Sequence, residues 1–467
     1  MKNLKKITML TMLSSAFFVG CGSVDLGSCE PCHSDVTDAV TVLTAQSMTN
    51  KSQANYSDNK SGLVEAKTVE SWINDWKKNR PEGITGKLVV LQIGKVSVGG
   101  DYAYIKNNGV DILAYELGDV CNTYYSRNDG VSVIAKAVNS GENIDGMMMQ
   151  FGIDPTKDML LFVQGNGLNG GKNFSGAARM WYTFSYWGFE QSQMAILNGN
   201  ASYVLNPEAN EELTATNKSA MFDVNGTTPP MSGTVGISAL KTNGTILQAT
   251  MKEMRDIVDN QDSNIVMLDT RSLEEYEGTK RAKTELKTCG ENGDEQCYTA
   301  FDGHIKGAKH FLYTDILDMT GASDLDGDGV VTEGKESSYR FKSQADIATL
   351  FTNQGYSDGK TIYAYCRTGT KASLVTFTAS QLLGYPTRIY DGSWIQWGKM
   401  AHREDANGST LIPVDSKWRT DTDSYSEAIT YNGESSSVFP HDENSLHLDS
   451  NVTDTIINED INYKVKK

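Results

Sequence analysis

The chain has 467 residues, which is enough for two or three domains of ordinary size. Its 39% of hydrophobic residues, with 43 glycines against 9 prolines, excludes a fibrous or wholly disordered protein and indicates a globular one with many loops. The formal net charge of −17 argues against nucleic acid as a partner, because an acidic surface repels polyphosphates.

The first segment has the pattern of an export signal. Lysines precede an apolar run over residues 7–20, which is too short to remain in a bilayer as a permanent helix. Small residues around Cys21 at the end of the run resemble a bacterial lipobox, in which the signal is removed and the cysteine receives lipid. We expect residues 1–20 to be a signal peptide and Cys21 to anchor the protein in the cell envelope, facing the periplasm from the outer membrane. The alternative is an ordinary secretory signal with a cysteine there by chance.

Residues 21–62 are predicted to be a flexible tether, because they are rich in Ser, Thr, Asp and Asn and lack a sustained apolar period. Within this stretch, Cys29, Cys32 and His33 match the spacing of c-type haem attachment. Haem would also need an apolar pocket and a distal ligand, of which the neighbouring residues offer little. A disulfide or a free dithiol is the favoured interpretation, and haem c is not expected.

Short apolar strands alternate with helices in the first half of the chain. The pattern predicts, in order, a helix around residues 64–77, strands over 88–92 and 158–163, a helix over about 175–187 and a strand over 193–197. Such alternation is typical of a parallel sheet with helices on both faces.

The second half repeats this order of elements. The pattern predicts a helix over 247–258, strands over 265–268 and 361–365, a helix near 372–383 and a strand over 388–390. The stretches over 206–240 and after residue 413 are polar. We predict an α/β protein with two domains, over 63–205 and 241–413, joined by a linker over 206–240 and followed by a polar tail over 414–467.

One cysteine lies where chemistry is expected, between a predicted buried strand and the start of a helix. Cys366 is followed by Arg367, Thr368, Gly369, Thr370 and Lys371. Backbone N–H groups and the helix dipole favour negative charge in such a loop, and the two cations act in the same sense. We expect a thiol of lowered pKa, suited to attack an anionic sulfur donor. The alternative is an inert core cysteine.

This loop resembles the active-site loop of the rhodanese family, which carries sulfane sulfur as a cysteine persulfide. The remaining family motifs follow the same order in the chain: Asp269-Thr270-Arg271 with Glu275-Tyr276, GHIKGA at 303–308, and the closing stretch over 390–398. The resemblance covers about residues 245–400 and points to the tandem-domain thiosulfate or 3-mercaptopyruvate sulfurtransferases, here in a bacterial lipoprotein form. It implies that Cys366 is the nucleophile, with Asp269 and Arg271 in the same site, and that catalysis requires no cofactor.

The first half resembles the same domain more faintly. Residues 175–179 fit the helix after the active-site loop, but Gln164-Gly165-Asn166 stands where the nucleophile belongs. The resemblance implies a catalytically silent domain that forms one wall of the cleft. Glu275 stands where two-domain relatives often have an arginine for the anionic end of the donor, which leaves the preferred donor open.

Two inserts interrupt the second half. The stretch over 278–302 contains Cys289 and Cys297, which we interpret as a disulfide-closed surface loop. The second insert has the oxygen spacing of an EF-hand calcium loop, with Gly329 at the sixth position, but its twelfth position is Lys335, so the closing ligand would be displaced. The candidate structural calcium ligands are Asp324, Asp326, Asp328, the carbonyl of Val330, and Glu336. A bare acidic turn is the alternative.

The sequence therefore predicts a sulfurtransferase that takes sulfane sulfur from thiosulfate or a related small anionic donor onto Cys366 and passes it to a thiol, sulfite or cyanide. One alternative is a periplasmic polysulfide carrier that feeds a sulfur-metabolising membrane enzyme. Another, from a different class, is a haem-carrying redox protein that uses residues 29–33. A phosphatase is disfavoured, because Ala372 stands where that chemistry requires an arginine.

Overall fold

The computed structural model describes residues 40–94, 96–98, 101–117, 125–131, 133–165, 175–224, 233–279, 303–319, 338–402 and 455–466. Several predicted sites lie outside these ranges: the lipidation site, the haem or disulfide motif, the second cysteine pair, the calcium loop, and one residue of the silent loop (Cys21; Cys29, Cys32 and His33; Cys289 and Cys297; residues 324–336; Asn166). Their interpretation stays a prediction from the sequence.

The described chain contains both strands and helices. The strands are β1 (Thr41–Val42), β2 (Gly62–Val64), β3 (Leu88–Ile93), β4 (Val96–Val98), β5 (Asp101–Ile105), β6 (Ile112–Glu116), β7 (Tyr125–Asn128), β8 (Val133–Ala137), β9 (Met159–Gln164), β10 (Met194–Leu197), β11 (Phe222–Val224), β12 (Thr242–Asn243), β13 (Gln248–Ala249), β14 (Ile265–Asp269), β15 (Lys309–His310), β16 (Leu317–Asp318), β17 (Arg340–Phe341), β18 (Thr361–Tyr365) and β19 (Thr387–Tyr390). The helices are α1 (Ala66–Asn74), α2 (Trp76–Asn79), α3 (Gly141–Phe151), α4 (Gly176–Tyr186), α5 (Ala201–Val204), α6 (Met251–Asn260), α7 (Leu273–Tyr276), α8 (Gln344–Asn353), α9 (Thr370–Phe377), α10 (Ser393–His402) and α11 (Thr455–Lys466).

Two five-stranded sheets form the frame of the molecule, and they share one topology. The first has the order β2-β10-β9-β3-β6, and the second has the order β13-β19-β18-β14-β15. All neighbouring strands within both sheets are parallel. When the strands are numbered along the chain within each half, both orders read 1-5-4-2-3. The two halves therefore repeat one α/β architecture, which confirms the predicted fold class.

Both faces of each sheet are covered, which explains why the strands are continuous apolar runs. In β3, Val89 and Leu91 belong to one hydrophobic cluster, whereas Leu88 and Val90 belong to another on the opposite face. The second sheet is divided in the same way: Ile362 and Ala364 of β18 face one cluster, and Tyr363 and Tyr365 face another.

The two halves pack together through equivalent helices. Helix α4 follows β9 in the first half, α9 follows β18 in the second, and the two are in extensive contact. The rings of Trp181 and Phe377 meet edge to face across this interface, with 5.3 Å between their centroids. Every residue of α4 is buried. The helices that begin at the two loops thus form a shared core.

The helix predicted over 247–258 begins later than expected. Helix α6 starts at Met251, because Thr250 caps it in a capping box with Glu253. The helix predicted near 372–383 consists of α9 and a π-helical turn over Thr378–Leu382.

The first half also contains small elements that no pattern had predicted. Strands β4, β5 and β11 form an antiparallel sheet, and β7 pairs with β8 in a hairpin. Strand β11 lies within the stretch predicted to be a linker, so that segment contributes to the first half rather than only joining the two.

The predicted flexible tether differs from the structure where it is described, and part of the predicted polar tail packs on the protein body. Within residues 40–62, β1 pairs with β12, and Met48 and Tyr56 are buried. This part of the chain therefore lies on the protein body. Residues 455–466 form helix α11, whose Ile456 is buried and whose Asp460 pairs with Arg127. In the described part of the chain, no helix has both the length and the apolar character to cross a membrane.

Candidate active-site loop around Cys366

Cys366 lies at the carboxyl end of β18, a central strand of the second sheet. Ligands of open parallel sheets bind at this end of the strands. The thiol is free and its residue is 1% exposed. The chain then turns into α9 through Gly369, whose φ of +80° lies in the left-handed region that favours glycine. The cysteine, the glycine and the start of the helix are thus placed as the sequence predicted.

The segment over residues 391–395, which consists of a two-residue turn and the start of α10 and is called the closing turn below, holds the backbone of the loop. The N–H of Trp394 donates to the carbonyl of Cys366 at 3.0 Å, and the N–H of Ile395 donates to that of Arg367 at 3.2 Å. The N–H of Cys366 donates to Oγ of Ser393 at 3.4 Å, and that hydroxyl donates to the carbonyl of Tyr390 at 2.8 Å. Ser393 itself has a φ of +53°, which is unfavourable for a residue with a side chain. The closing turn therefore positions the backbone of Cys366 directly.

Arg367 is paired with a carboxylate from another segment. Its Nη2 lies 3.1 Å from Oε1 of Glu275 on α7, whose side chain is mostly buried. Burial raises the pKa of Glu275, but the charges of Arg367, Arg271 and Lys371 together outweigh it and bring that pKa below its ordinary value. Glu275 is therefore ionised at neutral pH and offsets part of the positive charge of the loop.

Lys371 lies on the first turn of α9 and packs over an aromatic ring. Its Nζ lies 4.9 Å from the ring centroid of Tyr313, a cation–π contact. Burial, followed by the nearby Tyr339 and Cys366, raises the pKa of Tyr313 to about 12. Tyr313 therefore keeps its phenolic proton at neutral pH. The sequence motifs had not singled out this tyrosine.

Asp269 and Arg271 form a buried pair behind the loop. Nε of Arg271 donates to Oδ1 of Asp269 at 2.9 Å, and the guanidinium lies 4.6 Å from the ring centroid of Trp394. The N–H of Thr270 donates to the carbonyl of Tyr365 at 2.9 Å. These contacts support the end of β18 and the residue whose N–H holds Cys366, so the pair acts on the loop from behind.

The family comparison agrees with this geometry. The sequence model of the family described as "Rhodanese-like domain" matches residues 250–400, which contain the Cys366 loop, the Asp269 and Arg271 pair and the closing turn. This part of the chain is a rhodanese-like domain.

Relatives of this rhodanese-like domain are found in archaea and bacteria. A putative thiosulfate sulfurtransferase of Haloferax volcanii is 30% identical over 152 residues, which are 32% of this chain and 44% of the relative. The sulfur carrier protein TtuD of Thermus thermophilus is 28% identical over 33% of this chain and 46% of its own length. The chain thus spans less than half the length of these two relatives.

Longer matches extend into the first half of the chain. The putative thiosulfate sulfurtransferase SseA of Mycobacterium bovis is 23% identical over 321 residues, which are 67% of this chain and 88% of the relative. A solved structure of an EanB variant in complex with hercynine covers 75% of this chain and 70% of its own, with a TM-score of 0.50 and 15% identity. At this identity the likeness concerns the fold.

In the first half, the loop that matches the Cys366 loop follows a buried amide, with Gly165 at the position of the cysteine. Gln164 ends β9, the counterpart of β18, and is buried. Its Nε2 donates to the carbonyl of Ile93 at 3.3 Å, and its Oε1 accepts from the N–H of Ala177 at 3.3 Å. The amide therefore ties the strand end to the start of α4.

Sequence reasoning missed the ion pair that joins the two halves beside the loop. Arg179 of α4 and Asp391 of the closing turn are both fully buried, with 2.6 Å between Nη1 and Oδ1. Each residue lies in a stretch that resembles a family motif. A charged residue among apolar neighbours was the signal available in the sequence. No local pattern indicated that the two side chains form a pair with each other.

Proposed function

We propose that the protein is a sulfurtransferase in which Cys366 carries sulfane sulfur as a persulfide. The observation that supports this most is the buried, free thiol of Cys366 at the carboxyl end of β18 and the start of α9, inside the part that matches the rhodanese-like domain. The names of the relatives, thiosulfate sulfurtransferase and sulfur carrier, support sulfur transfer in general.

The proposed reaction consists of two balanced displacements. The thiolate of Cys366 attacks the outer sulfur of thiosulfate, so that a new S–S bond forms, the S–S bond of the donor breaks and its electron pair leaves with sulfite. A thiolate, sulfite or cyanide then attacks the outer sulfur of the persulfide, and the electron pair of the broken bond returns to Cys366. No external oxidant or reductant is consumed.

The surroundings of the loop favour a small anionic donor. The N-terminus of α9 contributes partial positive charge, and Arg367 and Lys371 contribute full charges, of which Glu275 offsets one. The net positive charge is modest, which fits thiosulfate or a polysulfide and leaves room for neutral thiol acceptors.

We propose that the first half is catalytically silent, because neither the amide of Gln164 nor Gly165 can form a persulfide. The second candidate function is that of a sulfur carrier, in which Cys366 receives sulfur and delivers it to a partner enzyme, for example a membrane enzyme of sulfur metabolism, without rapid turnover. The likeness to the sulfur carrier protein TtuD supports this second candidate function.

Three further proposals rest on the sequence alone: export with a lipid on Cys21 that places the protein at the outer membrane, a calcium clip in the loop over 324–336, and a disulfide or dithiol at Cys29 and Cys32. Metabolic labelling with a fatty acid would test the lipid, because Cys21→Ala should abolish the label while Cys29→Ala keeps it.

The experiment that tests the central proposal compares wild type with Cys366→Ser, using thiosulfate and inorganic polysulfide as donors and cyanide as acceptor. We expect wild type to gain the mass of one sulfur atom on the Cys366 peptide, and the variant to lose turnover by more than about a hundredfold. Wild-type loading without turnover would favour the carrier. An active variant, or a wild type that no donor loads, would refute sulfur transfer through Cys366.

A further inference from the structure

A buried ion pair joins the first half of the chain to the closing turn of the second. The guanidinium of Arg179 on α4 donates twice to the carboxylate of Asp391, at 2.6 Å from Nη1 and 3.0 Å from Nη2. Both side chains are fully buried. A two-point contact of this kind fixes the relative orientation of its partners as well as their distance.

The first half supplies one further donor to this carboxylate and an acceptor to its guanidinium partner. The N–H of Val138, directly after β8, donates to Oδ2 of Asp391 at 3.0 Å. Nη2 of Arg179 also donates to the carbonyl of Lys136 at 2.7 Å, and Lys136 has a φ of +57°. Asp391 is therefore held by the first half of the chain, through α4 and the β8 strand together.

The same carboxylate belongs to the turn that holds the nucleophile. Asp391 lies two residues before Ser393, whose Oγ accepts the N–H of Cys366, and the turn continues to the N–H of Trp394, which donates to the carbonyl of Cys366. The pair also touches the loop itself. A Cβ at Gly369 would overlap Oδ1 of Asp391 and would come within 2.8 Å of Nη1 of Arg179.

We propose that Arg179 is a positioning residue for sulfur transfer: through Asp391 it holds the closing turn, and thereby the backbone of Cys366 and Gly369, in the geometry for attack. The inference rests on the proposed function of Cys366. On this view the first half does more than form one wall of the cleft, because it fixes the position of Cys366. A displacement of about 1 Å at a reacting atom can lower the rate by about a hundredfold.

The test uses variants that separate an effect on the position of the closing turn from an effect on the stability of the protein. Arg179→Met leaves Asp391 buried without its cation, so it should lower both the melting temperature and kcat. The double variant Arg179→Met with Asp391→Asn removes both charges, so it should recover part of the melting temperature while kcat stays low. Arg179→Lys keeps the charge but loses the planar fork, and should have an intermediate kcat.

The chain offers a control pair at the opposite edge of the first sheet. Lys87, directly before β3, pairs with the buried Asp158, directly before β9, at 2.9 Å from Nζ to Oδ2. Lys87→Met, alone and with Asp158→Asn, removes a cation and a carboxylate at the amino ends of the strands, away from the Cys366 loop. It should lower the melting temperature without changing kcat by more than about twofold.

The measurement is kcat and KM with thiosulfate and with inorganic polysulfide as donors and cyanide as acceptor. We expect the variants at 179 and 391 to lower kcat by about tenfold to a hundredfold with KM nearly unchanged. If the double variant at 179 and 391 kept a kcat within about twofold of wild type, or lost no more than the double variant at 87 and 158, the proposal would be wrong. Loss of the central proposal would be recognised separately, by retained activity in Cys366→Ser.

Discussion

Arg367 and Glu275 form an ion pair of 3.1 Å beside the nucleophile, although they are 92 positions apart in the chain. Glu275 lies on the short helix α7 after β14, where it closes a capping box with Ser272, whereas Arg367 directly follows Cys366. The carboxylate lowers the positive charge that an anionic donor meets at the loop. On the proposed function, Glu275 therefore influences the preference for an anionic donor through its contact with Arg367, the residue next to Cys366.

Glu275→Gln is expected to improve the use of thiosulfate. Removal of the carboxylate takes away a negative charge beside Arg367, so a dianion is attracted more strongly and KM for thiosulfate should fall by about fivefold, which corresponds to about 1 kcal/mol for a partly exposed pair. Glu274→Gln is the matched control, because Glu274 is the preceding residue on α7 and is exposed. Steady-state kinetics at low ionic strength would measure the effect, and an equal change in both variants would count against a local interaction.

Gly369→Ala is expected to impair both stability and sulfur transfer. The methyl group would collide with Asp391 and Arg179, and the φ of +80° adds strain, together costing about 1–3 kcal/mol. Gly359→Ala is the control, because Gly359 has a φ of +89° with no atom within 4 Å of the added Cβ. Denaturant unfolding and kcat should separate the two: only the change at 369 should lower kcat, by about tenfold or more.

The docking of α11 is expected to strengthen as the pH rises above neutrality. Burial lowers the pKa of Lys464 to about 7, and its Nζ donates to the carbonyls of Trp187 and Thr242. Between pH 7 and about 10.4, the unfolded chain binds the proton that the folded state lacks, so this group makes the free energy of unfolding rise with pH across that window. Below pH 7 both states are protonated and the contribution is constant.

Hydrogen exchange of residues 455–466 at pH 7 and pH 9 would measure this dependence. Lys464→Met should remove the difference between the two pH values, after correction for intrinsic exchange rates. Lys67→Met, at an exposed position on α1, is the control and should retain the difference between the two pH values. A wild type whose protection is the same at both pH values would contradict the expectation.

On the proposal of a calcium clip over residues 324–336, calcium should bind the folded protein and not the unfolded chain, and should therefore stabilise the protein by mass action. At a concentration of about 100 times Kd, the gain would be about 2.7 kcal/mol. Thermal melts with calcium and with chelator would measure it. Asp326→Asn should weaken the response while Asp302→Asn, outside the loop, retains it; coincident melts for wild type would leave the aspartates as an acidic turn.

The sequence by itself determined the inner strands of both large sheets, the order of those elements and the identity of the candidate nucleophile. The runs over 159–164 and 361–365 are buried strands in both halves, and Cys366 stands where the helix begins. These features are local: a continuous apolar run predicts a strand covered on both faces, and residue types at fixed offsets identify a loop.

Only the tertiary structure decided which charges meet and which polar segments lie on the body. The partner of Arg179 is 212 positions away, and residues 40–62 and 455–466 are docked although their composition is polar. The neighbouring residues in the sequence do not distinguish a carboxylate or guanidinium that faces solvent from one in a buried pair. Its partner is set by how two sheets of the same topology pack through α4 and α9, which is a relation between distant parts of the chain that no short window of sequence contains.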